Sequence, residues 1–557
     1  MIIGVSKGGR AKRERVGRQN RCTIAKMRQF VFFWGGQPPA LLRRKGGLSM
    51  LIVHPRIYLD HHGTTTNALL IEGQHVVAVG DEARRRAGRS AEVVRPDAAC
   101  VMPALGDAHI HLWGAGLRAH TIDLRGMSAP QILDELRLAA PRQDGWIVGT
   151  NWNENNFADD HPLNLALLDQ LFPNQPVCLH RVDAHALWVN SEALRRAGLD
   201  ERVHDLSGGL AERGPDGRLT GVLIDHAMEP VLRALPPADA AEDRLIFTHT
   251  ANTLLSHGVS FSSMAFTSME RLELVDELIA DGDLPSRVDF WIDGTSPALD
   301  RLLERGPRQA NAAGHRVGTI KFFADGALGS AGAWLLEPYR TGGQGLQTQP
   351  SGYLKARLPE LMRAGWQVAV HAIGDAAARD VLDAFEATSP ELRARLRPRL
   401  EHAQIVHPDD RARFAELGVI ASIQPIHLRS DVPWAPRRLF DPQLERLFPW
   451  RDLLPATLAA GSDYPIDDPN PWHGIATALT RQGYDEQPFA PEHALTRQEA
   501  ISAYTYGAAY ASHREHQLGA LHPGYLADVI ALSADPYVDS PEAIWDIEVL
   551  WSRLPGR

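Results

Sequence analysis

The chain has 557 residues, of which 44% are hydrophobic and 23% charged, and it has no low-complexity tract, which is the composition of an ordinary globular protein. No apolar run is long enough to cross a membrane. The three cysteines are scattered, which excludes a disulfide framework and a thiolate zinc knuckle. The sequence therefore predicts a cytoplasmic protein without a membrane segment.

Residues 1–49 form a basic leader. Twelve of the 58 Lys and Arg residues lie within residues 1–50, which contain a single acid, Glu14, although the whole chain has a net charge of −10. The acidic remainder argues against a nucleic-acid surface on the main body. The apolar patch at 30–34 is too short and too late for a secretory signal. We expect either a disordered basic arm or upstream sequence read through to Met50, and we favour the second.

Both ends of the remaining chain have the pattern of short β-strands. Apolar runs near 51–53, 67–71 and 75–80 are separated by turn residues such as Gly63 and Gly73. A similar piece recurs from residue 518. We therefore predict a small β-sandwich domain built from residues 50–104 and 515–557.

Between these ends, eight apolar strand-like runs alternate with helix-like stretches. The runs lie at 100–112, 259–262, 287–292, 319–323, 367–371, 400–403, 419–423 and 458–463. Such alternation predicts an α/β fold with a parallel sheet, and eight units predict a closed (β/α)8 TIM barrel, here over residues 105–514. The gap after the first strand is too long for one helix. We interpret residues 120–245 as an inserted α/β lobe above the active face of the barrel.

Residues that bind metals stand at the ends of five of these strands. His109 and His111 share one face of the first strand, because side chains alternate along a strand. Four later strands also end in such residues, namely Lys321, His371, His402 and Asp463. Alone, each could be a core histidine, a turn cap or a lysine that reaches solvent. Together, at the mouth of one barrel, nitrogen and oxygen ligands predict a site for a divalent ion such as zinc.

Seven short motifs along the chain form a distinctive set. They are Asp107-Ala-His-Ile-His, Ile320-Lys-Phe-Phe-Ala-Asp-Gly, Val370-His-Ala-Ile-Gly-Asp, Arg399-Leu-Glu-His, Ala421-Ser-Ile-Gln-Pro-Ile-His, Ala460-Gly-Ser-Asp-Tyr-Pro and Gly519-Ala-Leu-His-Pro-Gly-Tyr-Leu-Ala-Asp. From about Met50 to the C-terminus, the chain thereby resembles the amidohydrolase superfamily, specifically its YtcJ-like (amidohydrolase type 3) branch. One departure, Pro103-Ala104-Leu105 in place of the common Pro-Gly, affects a turn and no ligand.

The resemblance implies a centre of two divalent metal ions. His109 and His111 would hold the more buried ion, and His371 and His402 the more exposed one. Lys321 would bridge both ions as a carbamate. This modification is chemically reasonable, because only a neutral amine reacts with carbon dioxide and burial near two cations disfavours the ammonium form.

The implied reaction is hydrolysis of a non-peptide C–N bond of a small molecule, such as an amide, formamide or cyclic amide. Metal-activated hydroxide would attack the carbonyl, and Asp463 would bind one ion and act as general base and then general acid. A metal-dependent lactonase, esterase or phosphoesterase on the same site is the alternative. A scaffold that has lost catalysis is disfavoured, because all six ligand positions are intact, whereas a single-ion enzyme with unmodified Lys321 stays open.

Candidate substrate contacts come from three parts of the chain. In the lobe, Arg181 and His185 could hold an anionic or carbonyl group, although an ordinary hydrogen-bonded strand and turn explains them equally well. Gln424 and His427 follow the seventh strand, and Trp113 fits an apolar or aromatic group. The expected partner is a small molecule, with no nucleic acid and no membrane. The oligomeric state stays open, a homodimer included.

Overall fold

The computed structural model describes residues 49–114, 121–142, 144–157, 163–199, 208–236, 240–282, 284–296, 299–311 and 313–555. Apart from Ser49, the predicted basic leader lies outside these residues. Within the described ranges, no helix combines the length and the apolar character needed to cross a bilayer. The same ranges contain 21 strands, numbered along the chain, in three sheets.

The first five strands and the last two form one sheet. They are β1 (Met50–Tyr58), β2 (Thr65–Glu72), β3 (His75–Val79), β4 (Glu92–Val94), β5 (Cys100–Pro103), β20 (Val529–Leu532) and β21 (Val549–Arg553). The register of β1 against β2 shifts between Val53 and Ile57, and β1 pairs with β4 before this irregularity and with β5 after it. β20 pairs antiparallel with β5, so both ends of the chain contribute to the sheet. Its division into the layers of a sandwich, and the predicted domain bounds, stay predictions.

Eight parallel strands form the central barrel. They are β6 (Leu105–Ile110), β13 (Val259–Thr267), β14 (Arg287–Asp293), β15 (Arg316–Phe323), β16 (Gln367–Ala372), β17 (Arg399–His402), β18 (Ile420–Ile423) and β19 (Leu458–Ala460). Beyond the ladders, the Asp463 amide donates to the carbonyl of His109 and the His111 amide donates to that of Tyr464, both at 2.8 Å. These bonds join the ends of the first and eighth strands. The predicted TIM barrel is confirmed.

A third sheet lies between the first and second barrel strands in the sequence. Its strands are β7 (Ile122–Asp123), β8 (Ile147–Trp152), β9 (Val177–Arg181), β10 (Ala186–Val189), β11 (Gly209–Arg213) and β12 (Leu219–Asp225). Alternate residues of its strands enter two separate apolar clusters: Trp188 packs in one and Leu187 in the other. Such alternation gives the sheet two covered faces. We call residues 120–245 the lobe; these bounds stay a prediction.

Helices connect and cover these sheets. They are α1 (Gly80–Arg86), α2 (Ala129–Leu138), α3 (Leu165–Leu171), α4 (Ser191–Arg196), α5 (Glu229–Ala234), α6 (Ala240–Ser256), α7 (Met269–Asp281), α8 (Leu299–Leu303), α9 (Tyr353–Arg363), α10 (Asp375–Glu386), α11 (Pro390–Leu396), α12 (Pro408–Leu417), α13 (Pro425–Asp431), α14 (Ala435–Arg438), α15 (Asp441–Leu444), α16 (Trp450–Leu453), α17 (Pro471–Thr480), α18 (Arg497–Ser502), α19 (Ala508–Ala511) and α20 (Pro541–Trp545). In α10, Val381, Leu382 and Phe385 follow helical spacing and are buried in the main core, which includes the barrel. This helix follows β16, the strand that carries the candidate ligand His371.

Candidate metal centre

The first group of candidate ligands comes from the ends of the first and eighth barrel strands, where the barrel closes. His109 lies near the end of β6 and His111 just beyond it. Oδ1 of Asp463 is 3.1 Å from Nε2 of His111 and 3.5 Å from Nε2 of His109. The backbone of Asp463 has a φ of 55°, a strained conformation that is frequent at functional sites. The potential ligand atoms of these three residues lie within 4.8 Å of one another, which is close enough for one ion.

A second group uses the other oxygen of the same carboxylate. Oδ2 of Asp463 is 3.8 Å from Nε2 of His427 and 4.0 Å from Nδ1 of His402. His402 ends β17, whereas His427 lies on α13, which follows β18. The structure thus places His427, predicted from the sequence as a substrate contact, within a group that could bind a metal ion.

His371 and Lys321 adjoin these groups. The ring centre of His371 is 4.4 Å from that of His402, and its Nε2 is 3.3 Å from the carbonyl oxygen of Gly326. Lys321 is buried, with Nζ 5.0 Å from the ring centre of Phe323. Burial lowers the pKa of the Lys321 amine to about 8. This shift enlarges the neutral fraction of the amine, which is the form that reacts with carbon dioxide.

The chemistry of these side chains fits divalent metal ions. Several buried polar atoms have no hydrogen-bond partner within the described residues, namely Nε2 of His109 and His427, Nδ1 of His402, Nζ of Lys321 and Oδ1 of Asp463. Burying such atoms costs folding free energy unless a ligand bonds to them. Burial, reinforced by neighbouring cationic groups, holds the pKa of His109 and of His402 well below the usual value, so both rings are neutral ligands. Imidazole nitrogen with carboxylate oxygen is a donor set that zinc accepts.

Asp463 is ionised in this environment. Burial raises the pKa of its carboxyl, but the surrounding imidazoles, with Nε2 of His111 3.1 Å from Oδ1, outweigh burial and hold the pKa below its usual range. An ionised carboxylate between four imidazoles can bind a metal ion on either side. It is also free to accept a proton.

A buried network that sequence reasoning missed supports His109. Oε2 of Glu401 is 2.6 Å from Nδ1 of His109, and Oε1 accepts a hydrogen bond of 2.8 Å from Nε of Arg399. Arg399 also donates to Ser422 Oγ at 2.9 Å and stacks over Trp291. A carboxylate on the second ring nitrogen is the usual support of a metal-binding histidine. The signal in the sequence is the Arg399-Leu-Glu-His motif. Arg399 and Glu401 are two residues apart in it and therefore lie on the same face of a strand.

One predicted substrate contact from the lobe reaches the barrel. Nδ1 of His185 is 2.6 Å from Oδ1 of Asp225, and the ring centre of His185 is 5.0 Å from that of His371. The Asp225 carboxylate packs against the loop after β15. A Cβ on Gly326 would lie 2.1 Å from Oδ2 of Asp225, so a larger residue at this position would displace the carboxylate that bonds His185.

The other three predicted contacts have different surroundings. Trp113 is buried in the main core, 4.9 Å from the ring of Phe247. Arg181 is buried and makes ion pairs with Glu154 and Asp183. Gln424 is buried after β18, with Nε2 3.5 Å from the carbonyl of Ser422. The structure brings none of these three into the ligand groups.

Comparisons with known proteins indicate the family of this chain. Residues 98–551 match the model of the Amidohydrolase family. The chain is 31% identical over 519 residues to the putative amidohydrolase YtcJ of Bacillus subtilis (strain 168), covering 89% of this chain and 96% of that protein. It is 28% identical over 534 residues to the N-substituted formamide deformylase of Arthrobacter pascens, covering 89% and 95%. Its fold is similar to that of an uncharacterized metal-dependent hydrolase from Pyrococcus horikoshii ot3, with a TM-score of 0.72, 24% identity and coverage of 89% and 99%.

Proposed function

The chain belongs to the amidohydrolase family, and we propose that it is a metal-dependent hydrolase of a non-peptide C–N bond in a small amide, formamide or cyclic amide. The observation that carries this proposal is the shared carboxylate. Oδ1 of Asp463 faces His109 and His111, and Oδ2 faces His402 and His427. One residue therefore reaches both groups that could hold an ion.

Two ions, most simply zinc, are proposed here. His109, His111 and Asp463 would hold the first, and His371 and His402 the second, with His427 as a further imidazole on that side. Lys321 would bridge the pair as a carbamate. Two observations support this modification: Nζ of Lys321 has no hydrogen-bond partner among the residues that the structure describes, and the pKa of the amine is lowered.

Asp463 transfers the proton in the proposed reaction. When bound, the ions supply Lewis-acid chemistry that lowers the pKa of a water molecule and polarises the scissile carbonyl. The Asp463 carboxylate accepts a proton from the attacking water and delivers it to the leaving nitrogen as the C–N bond breaks. The neighbouring imidazoles, whose effect outweighs that of burial, keep it ionised for the first step.

The names of two relatives, an amidohydrolase and a formamide deformylase, support the choice of a C–N bond. The same site could act on an ester or a phosphoester, because a fold does not determine the bond that is cleaved. The experiment must therefore compare bonds within one substrate framework.

A matched substrate panel tests the proposal. N-acyl and N-formyl amines would be assayed beside esters of the same acyl groups and a phosphoester, with the protein as purified, stripped by a chelator and reloaded with zinc. We expect amide hydrolysis that disappears on stripping and returns with zinc. Hydrolysis of esters or phosphoesters without amides would reject the C–N assignment. Amide hydrolysis by the fully stripped protein would reject the metal.

A further inference from the structure

The second barrel strand ends in a β-bulge that redirects Phe266. The register of β13 against β14 shifts between Met264 and Thr267, and Phe266 has a φ of 98°. A bulky residue rarely adopts this conformation, which is maintained only where the surroundings enforce it. Bulges near active sites commonly re-aim one side chain.

Phe266 meets a second aromatic ring at the mouth of the barrel. Phe323 closes β15 two residues after Lys321, so both side chains lie on the same strand face. The Phe323 ring centre lies 5.0 Å from Nζ of Lys321, 5.3 Å from the ring of His371 and 5.9 Å from that of Phe266. Both phenylalanines are half-buried. They present an apolar wall beside two of the proposed metal ligands.

The lobe supplies the polar edge of this wall. The ring centre of His185 lies 6.0 Å from that of Phe323, and Asp225 fixes the His185 ring through Nδ1. Apolar rings with one or two oriented polar groups are the usual lining of a small-molecule site. Trp113, the aromatic residue predicted from the sequence for this purpose, packs in the core instead.

We propose that Phe266 and Phe323 form the subsite for an aromatic or flat apolar group on the substrate. This inference rests on the proposed function and narrows its substrate class to small amides with such a group next to the scissile bond. Phenyl groups favour the edge-to-face contacts that two rings held at 66° to each other can offer. The strain at Phe266 then has a role, because it holds one ring where the incoming group binds.

Binding of two chelating probes tests the subsite without turnover. Acetohydroxamic acid and benzohydroxamic acid share the metal-binding group and differ in a methyl or a phenyl substituent. The Kd of each would be measured with the zinc-loaded protein. We expect benzohydroxamic acid to bind at least about tenfold more tightly. Phe266→Ala and Phe323→Ala should abolish this preference and leave the Kd of acetohydroxamic acid within about twofold.

Variants with matched size and location make the result decisive. Phe266→Leu and Phe323→Leu keep much of the side-chain volume, so they control for loss of the preference through misfolding. They should reduce the preference for benzohydroxamic acid only in part. Phe440→Ala removes an exposed ring that contacts Arg340, and this variant should keep the preference for benzohydroxamic acid. Equal affinity of the wild type for both probes, or a preference that survives both alanine variants, overturns the subsite.

Failure of the subsite can be distinguished from failure of the proposed function. If benzohydroxamic acid binds preferentially through both rings while no amide is hydrolysed, the subsite holds and the reaction assignment falls. If amides are hydrolysed but the phenyl preference is missing, the reaction assignment holds and the subsite is rejected. If neither probe binds the zinc-loaded protein, the metal centre is rejected and the subsite with it.

Discussion

The carboxylate of Glu401 lies 2.6 Å from Nδ1 of His109, and both side chains are almost completely excluded from solvent. The other oxygen of Glu401 accepts a hydrogen bond from Arg399. With Nδ1 engaged, Nε2 of His109 is the ring nitrogen left for a ligand, on the side of Asp463. The relationship fixes both the orientation and the tautomer of a candidate ligand.

Glu401→Gln should therefore weaken metal binding without removing a ligand. We expect zinc affinity to fall by about 10- to 100-fold, as for other residues that support metal ligands. Competition with a chelator of known affinity measures this change. Glu445→Gln, on an exposed glutamate at the end of α15, is the matched control. Unchanged affinity would contradict a role for Glu401 in the centre.

The sequence predicted the barrel because its strands are continuous apolar runs that end in recognisable ligands. It did not predict the support of His109, because β17, which carries Arg399 and Glu401, is not a sheet neighbour of β6 and meets it only through side chains of the closed barrel. It also assigned His427 to the substrate. The residue lies on a helix after Gln424, and one turn of that helix carries the ring toward Asp463.

The sequence predicts the surroundings of aromatic residues near the strand ends least well. Trp113 was expected near the substrate, but its neighbours in space come from α6 and α7, through Phe247 and Arg271. The sequence does not indicate a role for Phe266, because a β-bulge breaks the alternation on which strand predictions depend. These positions depend on contacts between distant segments, which periodicity does not report.

Lys321→Met should distinguish a centre of two bridged ions from a centre of one ion. We expect the wild type to bind about two zinc ions per chain in bicarbonate buffer and the variant about one, as measured by elemental analysis. Lys355→Met, at an exposed position on α9, should behave as the wild type. A wild-type protein that binds a single ion would contradict the carbamate bridge.

Metal uptake should also depend on pH through the same lysine. The pKa of Lys321 is lowered to about 8 by burial, and only the neutral amine takes up carbon dioxide. Carbamate formation, and with it uptake of the second ion, should therefore rise as the pH increases through about 8. Reconstitution of stripped protein with and without bicarbonate measures this effect. Uptake that is independent of bicarbonate at every pH would count against the modification.

Asp463→Asn should retain part of the metal and lose catalysis. The amide oxygen can still face His111, but it cannot accept the proton of the attacking water. We expect turnover to fall by at least about 10²-fold, the typical effect of losing a general base. Steady-state assays of metal-loaded protein give the value, with metal content measured on the same samples. Turnover close to that of the wild type would exclude Asp463 as the base.

His427→Ala should distinguish a metal ligand from a substrate contact. Its Nε2 is buried, has no hydrogen-bond partner in the described part of the chain and lies 3.8 Å from Asp463. We therefore expect zinc retention to weaken by about tenfold or more. His473→Ala removes a partly buried histidine that is bonded to Asp468 and should leave retention unchanged. A raised KM with normal metal content would instead support the substrate contact predicted from the sequence.

Arg181→Ala should destabilise the lobe rather than weaken substrate binding. The guanidinium is almost fully buried and is hydrogen-bonded to Glu154, Asp183 and Asn153. Its loss leaves Asp183 without this cation, whereas Glu154 keeps its ion pair with Arg438. Breaking a buried pair by removing one partner costs about 3 kcal/mol or more. Because the lobe has its own sheet and apolar clusters, the loss should appear as faster amide hydrogen exchange in β8, β9 and β10.

The matched control for Arg181 is Arg195→Ala, which removes an exposed arginine of the lobe paired with Glu192. Such surface pairs contribute little to stability, so exchange in the lobe should stay as in the wild type. Kinetics then separate the two roles of Arg181. A structural residue lowers the active fraction and leaves the KM of the folded enzyme in place. An increased KM with unchanged hydrogen exchange would restore Arg181 as a substrate contact, since only a residue that touches the substrate changes affinity without changing the fold.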